Sequence, residues 1–281
     1  MSPAPHAARL FDVAGRAYVV TGAASGLGLA ISQALTANGA RVLLVDCDAD
    51  RIDEVASRLG AQGVASAVDV ADAQALQDAV DRFIGDSGRV DGLFANAGIS
   101  GGPGFATAAG AVTGRLENQD SSHWSRVLQV NLLGVLNSLQ AVVPAMKQAR
   151  RGSIVITASI AGMQAEPFVS YSYAAAKAAV IQLMRQSALE MAPFGVRVNA
   201  ICPGFVRTGI GGGRLHDPAV EADLVRRIPL GRLGAPHEIQ GVALLLASDA
   251  GSYVTGSLFP IDGGALLGGF LSSPHPIDAS P

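Results

Sequence analysis

From residue 16 onward, the sequence alternates short runs of β-branched and other apolar residues with longer amphipathic runs. Repeated strand and helix units of this kind build parallel sheets, because each parallel connection needs a crossover that a helix can supply. The segments that we predict to be strands are 17–21, 41–46, 64–68, 91–95, 153–158, 196–201 and 257–262. The predicted helices are 27–38, 49–59, 72–85, 121–149, 170–193 and 236–248. The expected fold class is therefore α/β, with a doubly wound parallel sheet of seven strands flanked by helices.

A single domain is the expected organisation of the 281 residues, although two small domains would also fit this length. Apolar residues make up 49% of the chain and charged residues 15%, which suits a sheet that is covered on both faces. We place the domain at 12–265, between an N-terminal tail (1–11) and a C-terminal tail (266–281).

Two glycine-rich segments interrupt the alternation, at 100–119 and 204–230. Each follows a predicted strand on its carboxyl side, where open α/β sheets bind their ligands. Both are long for a connection between a strand and a helix, which is typical of functional loops. We predict that they are substrate loops, and that 204–218, with three consecutive glycines, forms a flexible lid.

Composition argues against several kinds of partner. The formal net charge of -3 and an isoelectric point near 5.9 offer no basic surface to nucleic acid. Cys47 and Cys202 lack the spacing of a disulfide framework or a metal site, which favours a reduced, intracellular protein without a metal. No apolar run approaches the roughly 18 residues of a membrane span, and the N terminus has no leader-like segment. We therefore expect a cytoplasmic protein.

The segment VVTGAASGLGLA places Gly22, Gly26 and Gly28 between the first predicted strand and the start of a helix. Such a turn can bind a pyrophosphate, because glycines allow close approach and the helix N terminus offers N–H donors and a positive dipole. The spacing GxxxGxG meets the more usual GxGxxG pattern only in part, so an ordinary glycine-rich turn is an alternative. The order of strand, turn and helix favours dinucleotide binding.

Asp46 ends the second predicted strand, where a dinucleotide fold places a carboxylate for the adenosine ribose. A 2′-phosphate would be repelled there, and Ser25 stands where a basic residue could have held that phosphate. We therefore predict NAD(H) rather than NADP(H) as the cofactor. The alternative is that Asp46 only caps the next helix, a role that Asp48 could also fill.

The segment SYSYAAAK contains two of the four tyrosines and one of the two lysines of the chain. Tyr173 and Lys177 are four residues apart and share a helix face, whereas Tyr171 has only Ala175 at that offset. An ammonium group near a phenol lowers the phenol pKa, which makes the phenol a usable acid or base. The alternative is that both residues lie on a helix surface without a catalytic role.

Six short motifs occur along the chain: TGAASGLG after the first strand, NAG (96–98), VNLLG (130–134), SIVITASIAG (153–162), YAAAK (173–177) and PGFVRT (203–208). In this order they resemble the short-chain dehydrogenase/reductase family, over about residues 12–265. The resemblance implies a single Rossmann-type domain and a catalytic tetrad of Asn, Ser, Tyr and Lys.

Matched motif by motif, the implied tetrad is Asn131, Ser159, Tyr173 and Lys177. In the family, the tyrosine exchanges a proton with the substrate oxygen and the serine hydrogen-bonds the same oxygen. The lysine lowers the tyrosine pKa and holds the nicotinamide ribose, while the asparagine keeps a water that links the lysine to solvent. An asparagine that merely bends its helix is the alternative for Asn131.

The resemblance also implies cofactor contacts. Asp69 would contact the adenine, although a simple strand-end cap is an equal alternative. Asn96 and Gly98 would line the cofactor cleft, and Val206 with Thr208 would lie near the nicotinamide amide. The full implied set is Gly22, Ser25, Gly26, Leu27, Gly28, Asp46, Asp69, Val70, Asn96, Gly98, Tyr173, Lys177, Pro203, Gly204, Val206 and Thr208.

Ser159 departs from the family spacing, because it lies one residue farther from Tyr173 than is common. The common spacing would put the tyrosine at the position of Ser172. We attribute the difference to one extra residue in the loop MQAEPFVSYS, since Ser159 followed by IAG matches the family's serine motif closely.

The predicted reaction is hydride transfer between NAD(H) and a secondary alcohol or its ketone. Met163, Ala165, Phe168 and Phe205 are the candidate substrate contacts, and they favour a small, neutral, hydrophobic substrate that is cyclic or aromatic.

A 3-ketoacyl-thioester reductase of the same family is an alternative, although it usually needs NADPH and a basic surface for an acyl carrier. A noncatalytic dinucleotide sensor is a further alternative, which the complete tetrad disfavours. The resemblance also implies a homotetramer with the helices at 121–149 and 170–193 between subunits.

Overall fold

The computed structural model describes residues 6–210 and 218–270. All seven predicted strands are present in one parallel sheet, in the order β3-β2-β1-β4-β5-β6-β7. The strands are β1 (Ala17–Thr21), β2 (Arg41–Asp46), β3 (Gly63–Ala67), β4 (Gly92–Ala95), β5 (Gly152–Thr157), β6 (Val196–Pro203) and β7 (Leu258–Ile261). The predicted fold class is confirmed.

The described helices are α1 (Ala7–Leu10), α2 (Gly26–Ala37), α3 (Ala49–Leu59), α4 (Ala73–Ser87), α5 (Ser121–Leu128), α6 (Gly134–Ala149), α7 (Tyr171–Met191), α8 (Pro218–Val225) and α9 (Gln240–Ala247). A π-helical turn, Gln129–Leu133, joins α5 to α6. The predicted helix at 121–149 is therefore one run with a local widening, and such turns often occur at functional sites.

Helices cover both faces of the sheet. One face packs against α4, α6 and α7, and the other packs against α2, α3 and α9. Every residue of β1 and β4 is buried. Because the faces are covered, a ligand can reach the sheet only at the strand ends, as the apolar composition suggested.

The strand order reverses at β1, which has β2 on one side and β4 on the other. Crossovers leave in opposite directions at such a point, and this opens a crevice beyond the carboxyl ends of the strands. The segments that follow β1, β4, β5 and β6 all lead into this crevice, and they carry most of the predicted site residues. The others, Asp46, Asp69 and Val70, lie at the ends of β2 and β3.

The two predicted substrate loops are only partly described. The first, 100–119, contains two short 3-10 helices, Ala108–Gly110 and Leu116–Asn118. The second carries α8, whereas 211–217, with the three consecutive glycines, lies outside the described residues. The same is true of 1–5 and 271–281 in the predicted tails.

The run Ser121–Ala149 is 29 residues long and is apolar enough to cross a membrane by length and composition alone. Half of its most apolar window is buried inside the fold. Val135, Val142 and Met146 of this run belong to the core beneath the sheet. This is the position of a core helix.

Candidate active site

The turn after β1 is built for close backbone contact. Gly22 has a φ of 67°, which favours glycine. A Cβ atom at Gly28 would lie 2.0 Å from the Gly22 carbonyl oxygen and 2.7 Å from Nδ2 of Asn96. Only glycine at position 28 lets the start of α2 pack this tightly against the turn.

The N terminus of α2 differs from those of α3, α4, α5 and α7. Asp48, Asp72, Asp120 and Ser170 each accept a hydrogen bond from the first turn of α3, α4, α5 and α7, respectively. Ser25 makes no such bond to α2. The N–H groups at this end, together with the positive helix dipole, form a donor set that fits a pyrophosphate.

Asp46 lies at the end of β2 and is bound to the glycine-rich turn. Its Oδ2 atom accepts a hydrogen bond from the Ala24 N–H at 3.0 Å, and its Oδ1 atom accepts one from the Asp48 N–H at 3.2 Å. Asp48 is the residue that caps α3. The alternative that Asp46 is merely the cap of that helix is therefore wrong.

Asn96 braces the turn from β4. Its Nδ2 atom donates to the carbonyl oxygens of Thr21 and Gly22 at 3.1 and 3.4 Å, and its Oδ1 atom accepts from the Thr157 hydroxyl at 3.1 Å. Its amide is thus bound to the ends of β1 and β5, so Asn96 shapes the cleft through the backbone of the turn.

Asp69 and Val70 follow β3 at the outer end of the cleft. Asp69 accepts from the Ala71 N–H at 2.9 Å, as a strand-end cap does, and it also pairs with Arg126 at 3.2 Å. Val70 is buried, and its carbonyl oxygen accepts from Nδ2 of Asn137 at 2.9 Å. The contacts of Asp69 are thus those of a strand-end cap, which was the alternative to an adenine contact. The second carboxylate oxygen of Asp69 pairs with Arg126.

Lys177 is almost fully buried, with 3% of its surface exposed. Its Nζ atom donates to the Thr157 carbonyl oxygen at 2.7 Å and lies 5.6 Å from the centre of the Tyr173 ring. A Cβ atom at Gly98 would lie 3.7 Å from this Nζ atom, so Gly98 leaves room for the lysine. Burial lowers the pKa of Lys177 to about 8.

Tyr173 and Ser159 face each other across the same space. Burial raises the pKa of Tyr173, and the nearby Ser159 hydroxyl acts in the opposite direction. The net direction is therefore upward, whereas Lys177 alone was expected to lower this pKa. Both groups shift for one reason: burial disfavours the charged phenolate and the charged ammonium alike.

The serine loop is fixed by its own packing. Ser159 accepts from the Ala161 N–H at 3.1 Å and so begins the 3-10 helix Ile160–Gly162. A Cβ atom at Gly162 would lie 2.5 Å from the Lys177 backbone, so this helix packs directly on α7. Ser172, by contrast, is fully buried beside Ser170. The longer serine spacing thus leaves Ser159 beside Tyr173.

Asn131 lies in the π-helical turn and is fully buried. Its Oδ1 atom accepts from the Ile99 N–H at 2.8 Å, and its Nδ2 atom donates to the Ile99 carbonyl oxygen at 2.9 Å. The side chain therefore holds the strand-end segment after β4.

The segment after β6 closes the cleft from the opposite side. Pro203 is the last residue of β6, and the Gly204 N–H donates to the Ile261 carbonyl oxygen at 3.0 Å. Val206 is buried and forms a β-bridge with Gly234. Thr208 lies over the glycine-rich turn, since a Cβ atom at Gly26 would be 3.5 Å from it.

The loop 100–119 is tied to the loop that precedes Tyr173. The Gly104 N–H donates to the Phe168 carbonyl oxygen at 3.2 Å, and the Ala106 N–H donates to the Pro167 carbonyl oxygen at 3.1 Å. Tyr171 stacks on Phe105 of this loop, with 5.9 Å between the ring centres. Tyr171 is thus a packing residue that contacts the loop 100–119.

The four predicted substrate contacts fall into two groups. Met163 and Ala165 are exposed on the loop before Tyr173. Phe168 and Phe205 instead pack against a small cluster of Leu224, Ile228 and Leu233. The structure therefore brings the two phenylalanines together and leaves Met163 and Ala165 at the rim.

Two charged residues at this rim were missed by the sequence analysis. The Arg227 guanidinium lies 4.3 Å from the centre of the Phe168 ring. Burial raises the pKa of the half-buried Glu166, and the Phe168 backbone N–H and the Arg227 charge act in the opposite direction. Arg227 is separated from Phe168 in the sequence by α7, β6 and α8, so no local pattern could have revealed this pair.

The chain can now be compared with known proteins. A family model described as enoyl-(acyl carrier protein) reductase matches residues 22–265. The chain is 38% identical over 258 residues to the 3-oxoacyl-[acyl-carrier-protein] reductase FabG of Thermotoga maritima, covering 90% of this chain and 98% of that protein.

Two further relatives are named as dehydrogenases of cyclic alcohols. Cyclohexanol dehydrogenase of a Rhodococcus species is 36% identical over 266 residues, covering 89% of this chain and 96% of its own. Cis-4-hydroxycyclohexanecarboxylate dehydrogenase of Sinomonas cyclohexanicum is 37% identical over 252 residues, with the coverage again 89% and 96%.

Solved structures of similar proteins contain both forms of the cofactor. A 3-oxoacyl-[acyl-carrier protein] reductase of Brucella melitensis with bound NAD is 36% identical, with a TM-score of 0.80 and coverage of 94% of this chain and 96% of that one. A gluconate 5-dehydrogenase of Burkholderia cenocepacia with NADP and tartrate is 30% identical, with a TM-score of 0.84 and coverage of 93% and 99%. This chain is thus an oxidoreductase, and it belongs to the short-chain dehydrogenase/reductase family.

Proposed function

We propose that this oxidoreductase transfers a hydride between NAD(H) and a secondary alcohol or its ketone, with Asn131, Ser159, Tyr173 and Lys177 as its catalytic residues. The observation that supports this most strongly is the buried arrangement at the crevice. The Ser159 hydroxyl lies near enough to the Tyr173 phenol to lower its pKa, and the Lys177 ammonium lies 5.6 Å from the centre of the Tyr173 ring.

The roles follow from the chemistry of each group. Tyr173 donates its proton to the carbonyl oxygen during reduction and removes the hydroxyl proton during oxidation. Ser159 donates a hydrogen bond to the same oxygen and stabilises the developing charge. Asn131 fixes the segment after β4, through both of its hydrogen bonds to Ile99. NAD(H), when bound, supplies or accepts the hydride.

The chain's own groups suit a dinucleotide. The uncapped N terminus of α2 would hold the pyrophosphate, and Lys177 would hold the nicotinamide ribose. Asp46 would accept hydrogen bonds from the adenosine ribose, and its charge would oppose a 2′-phosphate. NAD(H) is accordingly the proposed cofactor over NADP(H).

Replacing Asp46 tests the choice of cofactor. We expect the wild type to have a higher kcat/KM with NADH than with NADPH. Asp46→Ser should lower this ratio by about 10-fold, because one like-charge repulsion is removed. Asp48→Ser is the matched control, since Ser also caps helices and should leave the ratio unchanged. A wild type that prefers NADPH would contradict the proposal.

The proposed substrate is a small molecule with a hydrophobic, cyclic body. Phe168 and Phe205, in their cluster with Leu224 and Ile228, support an apolar contact. The names of the two ring-specific relatives support a cyclic alcohol. An NADH absorbance assay with cyclohexanol and cyclohexanone tests this, and no turnover of any cyclic alcohol or ketone would count against it.

A 3-ketoacyl-thioester reductase is the second candidate, because the family model and the Thermotoga maritima relative both carry acyl-carrier reductase names. This activity would give rapid NADPH oxidation with an acetoacetyl thioester. We expect that rate to be far below the rate with a cyclic ketone and NADH.

A homotetramer in the cytoplasm is proposed as the working form. Leu133 and Leu189, on the helical runs expected between subunits, have 40% and 75% of their surface exposed. Burial of such side chains would favour association. Sedimentation equilibrium tests this, and a monomer would contradict it.

A further inference from the structure

Arg226 and Arg227 are neighbours with different partners. Arg226 pairs with Asp223 at 2.7 Å. The Arg227 side chain makes no hydrogen bond or ion pair within residues 6–210 and 218–270, although its guanidinium lies 4.3 Å from the centre of the Phe168 ring. A guanidinium stacked on an aromatic ring keeps its N–H groups available at its edge, so Arg227 can still bind an anion.

The location of Arg227 connects this charge with the proposed substrate. Phe168 is one of the predicted substrate contacts and lies on the loop that leads into α7 and Tyr173. On its other flank, Phe168 packs with the Leu224 and Ile228 cluster, the segment to which Arg227 belongs. The cation is therefore fixed at the rim of the apolar wall.

Glu166 sets the orientation of a charged ligand at the same rim. The charge of Arg227 acts to lower the Glu166 pKa, yet the two side chains make no ion pair within 4.0 Å. The guanidinium is therefore not neutralised by direct contact. A ligand with one carboxylate gains most when that group meets Arg227 and turns away from Glu166.

We infer that Arg227 recognises a carboxylate on the ring of the substrate, at a position remote from the carbon that reacts. A planar guanidinium can donate two parallel hydrogen bonds to a carboxylate, which selects this group over a neutral amide or ester. The inference rests on the proposed function. The neutral ring still binds through the apolar wall, and the carboxylate adds affinity and fixes the ring's orientation.

Binding of a matched pair of ligands tests the inference without turnover. Cyclohexanecarboxylate and cyclohexanecarboxamide have the same shape and differ in charge. In titration calorimetry with the NADH-loaded protein, we expect the acid to bind about 10-fold more tightly than the amide. Arg227→Met keeps the apolar stem over Phe168 and should abolish the preference, with the amide affinity unchanged.

Two further variants sharpen the result. Arg226→Met removes a charge one residue away and should keep the acid preference. Glu166→Gln removes the opposing charge and should strengthen acid binding several-fold. The inference is overturned if the wild type binds both ligands equally or neither, if the preference survives in Arg227→Met, or if that variant weakens acid and amide alike.

Turnover separates this inference from the proposed function. The wild type should oxidise both cyclohexanol and cis-4-hydroxycyclohexanecarboxylate with NAD, with the lower KM for the acid. Oxidation of both with equal KM would refute only the role of Arg227. A preference for the acid in binding, with neither alcohol oxidised, would refute the proposed function.

Discussion

The crevice has a proposed cofactor side, formed by the glycine-rich turn and the strand ends around it, and a proposed substrate side, formed by the loop 100–119 and the loop before Tyr173. The two sides meet at Tyr173, but different interactions hold them in place. On the cofactor side, Gly28 packs against the Gly22 carbonyl oxygen, and Asn96 joins the ends of β1, β4 and β5. On the substrate side, a few backbone hydrogen bonds and the stack of Phe105 on Tyr171 connect two loops. Phe105 and Met163 there are 47% and 39% exposed.

The difference indicates which property each side can change. A turn in which a single methyl group would clash tolerates almost no substitution, so the cofactor side preserves one geometry. Loops joined by few contacts can change sequence at a small energetic cost. We therefore expect substitutions on the cofactor side to abolish binding and those on the substrate side to alter selectivity.

The largest effect should come from Gly28→Ala. The added methyl group would overlap the Gly22 carbonyl oxygen, so the turn must move away from the start of α2. We expect NADH affinity to fall by more than about 100-fold, measured by fluorescence titration.

The control for this variant is Gly85→Ala, inside α4. A Cβ atom at Gly85 has no neighbour within 4 Å, so this variant should keep NADH affinity and gain about 0.5–1 kcal/mol in the free energy of unfolding. Equal affinity in both glycine variants would show that the turn is not rigid.

Ser159→Ala acts where the two sides meet. Loss of the hydrogen bond to the substrate oxygen should lower kcat by about 100-fold or more. The Ser159 hydroxyl also lowers the pKa of Tyr173 against the effect of burial, so its removal should raise this pKa further. Since oxidation needs the phenolate, the rise of kcat/KM with pH should move to higher pH. An unmoved profile would remove Ser159 from the proton transfer.

Lys177→Met tests the cost of burying the ammonium. The folded pKa of about 8 lies below the ordinary lysine pKa of 10.5, so the unfolded chain binds more protons between these values. The wild type should therefore gain stability as pH rises from 8 to 10.5, by roughly 3 kcal/mol. The variant should lack this gain. Denaturation midpoints that change in parallel for both proteins across this range would argue that burial does not lower the Lys177 pKa.

Phe105→Ala should have the smallest effect. The variant loses the stack of Phe105 on Tyr171, which contributes about 0.5–1.5 kcal/mol to stability beyond the burial of apolar surface. This stack lies outside the cofactor side. We expect KM for a cyclic alcohol to change by a few-fold while NADH affinity stays constant. A loss of NADH affinity would mean that the two sides are coupled, which would contradict their independence.

Local patterns were sufficient for the fold and for part of the geometry of the candidate site. The alternation of apolar and amphipathic runs predicted all seven strands. Each strand of a sheet that is buried on both faces must be a nearly continuous apolar run, and such runs are visible in the sequence. The four-residue offset placed Tyr173 and Lys177 on one helix face, and they lie together. The Asp46 alternative was decided only by the structure, since two aspartates two residues apart can both reach a helix start.

The substrate side depends on contacts between distant segments. No sequence period connects Phe105 to Tyr171 or Arg227 to Phe168, because each pair comes from two loops that the sheet brings together. The direction of the Tyr173 pKa shift was also missed. The spacing gave the distance to Lys177 but could not give the depth of burial, which dominates the pKa of both groups.

The most direct test is a comparison of Tyr173→Phe with Tyr171→Phe. Each variant removes one hydroxyl group from the same helix turn, so both should fold and bind NADH as the wild type does. In the NADH absorbance assay with a cyclic alcohol, Tyr173→Phe should lower kcat by about 1,000-fold or more, whereas Tyr171→Phe should stay within a few-fold of the wild type. Retained turnover in Tyr173→Phe, or an equal loss in both variants, would contradict the proposed mechanism.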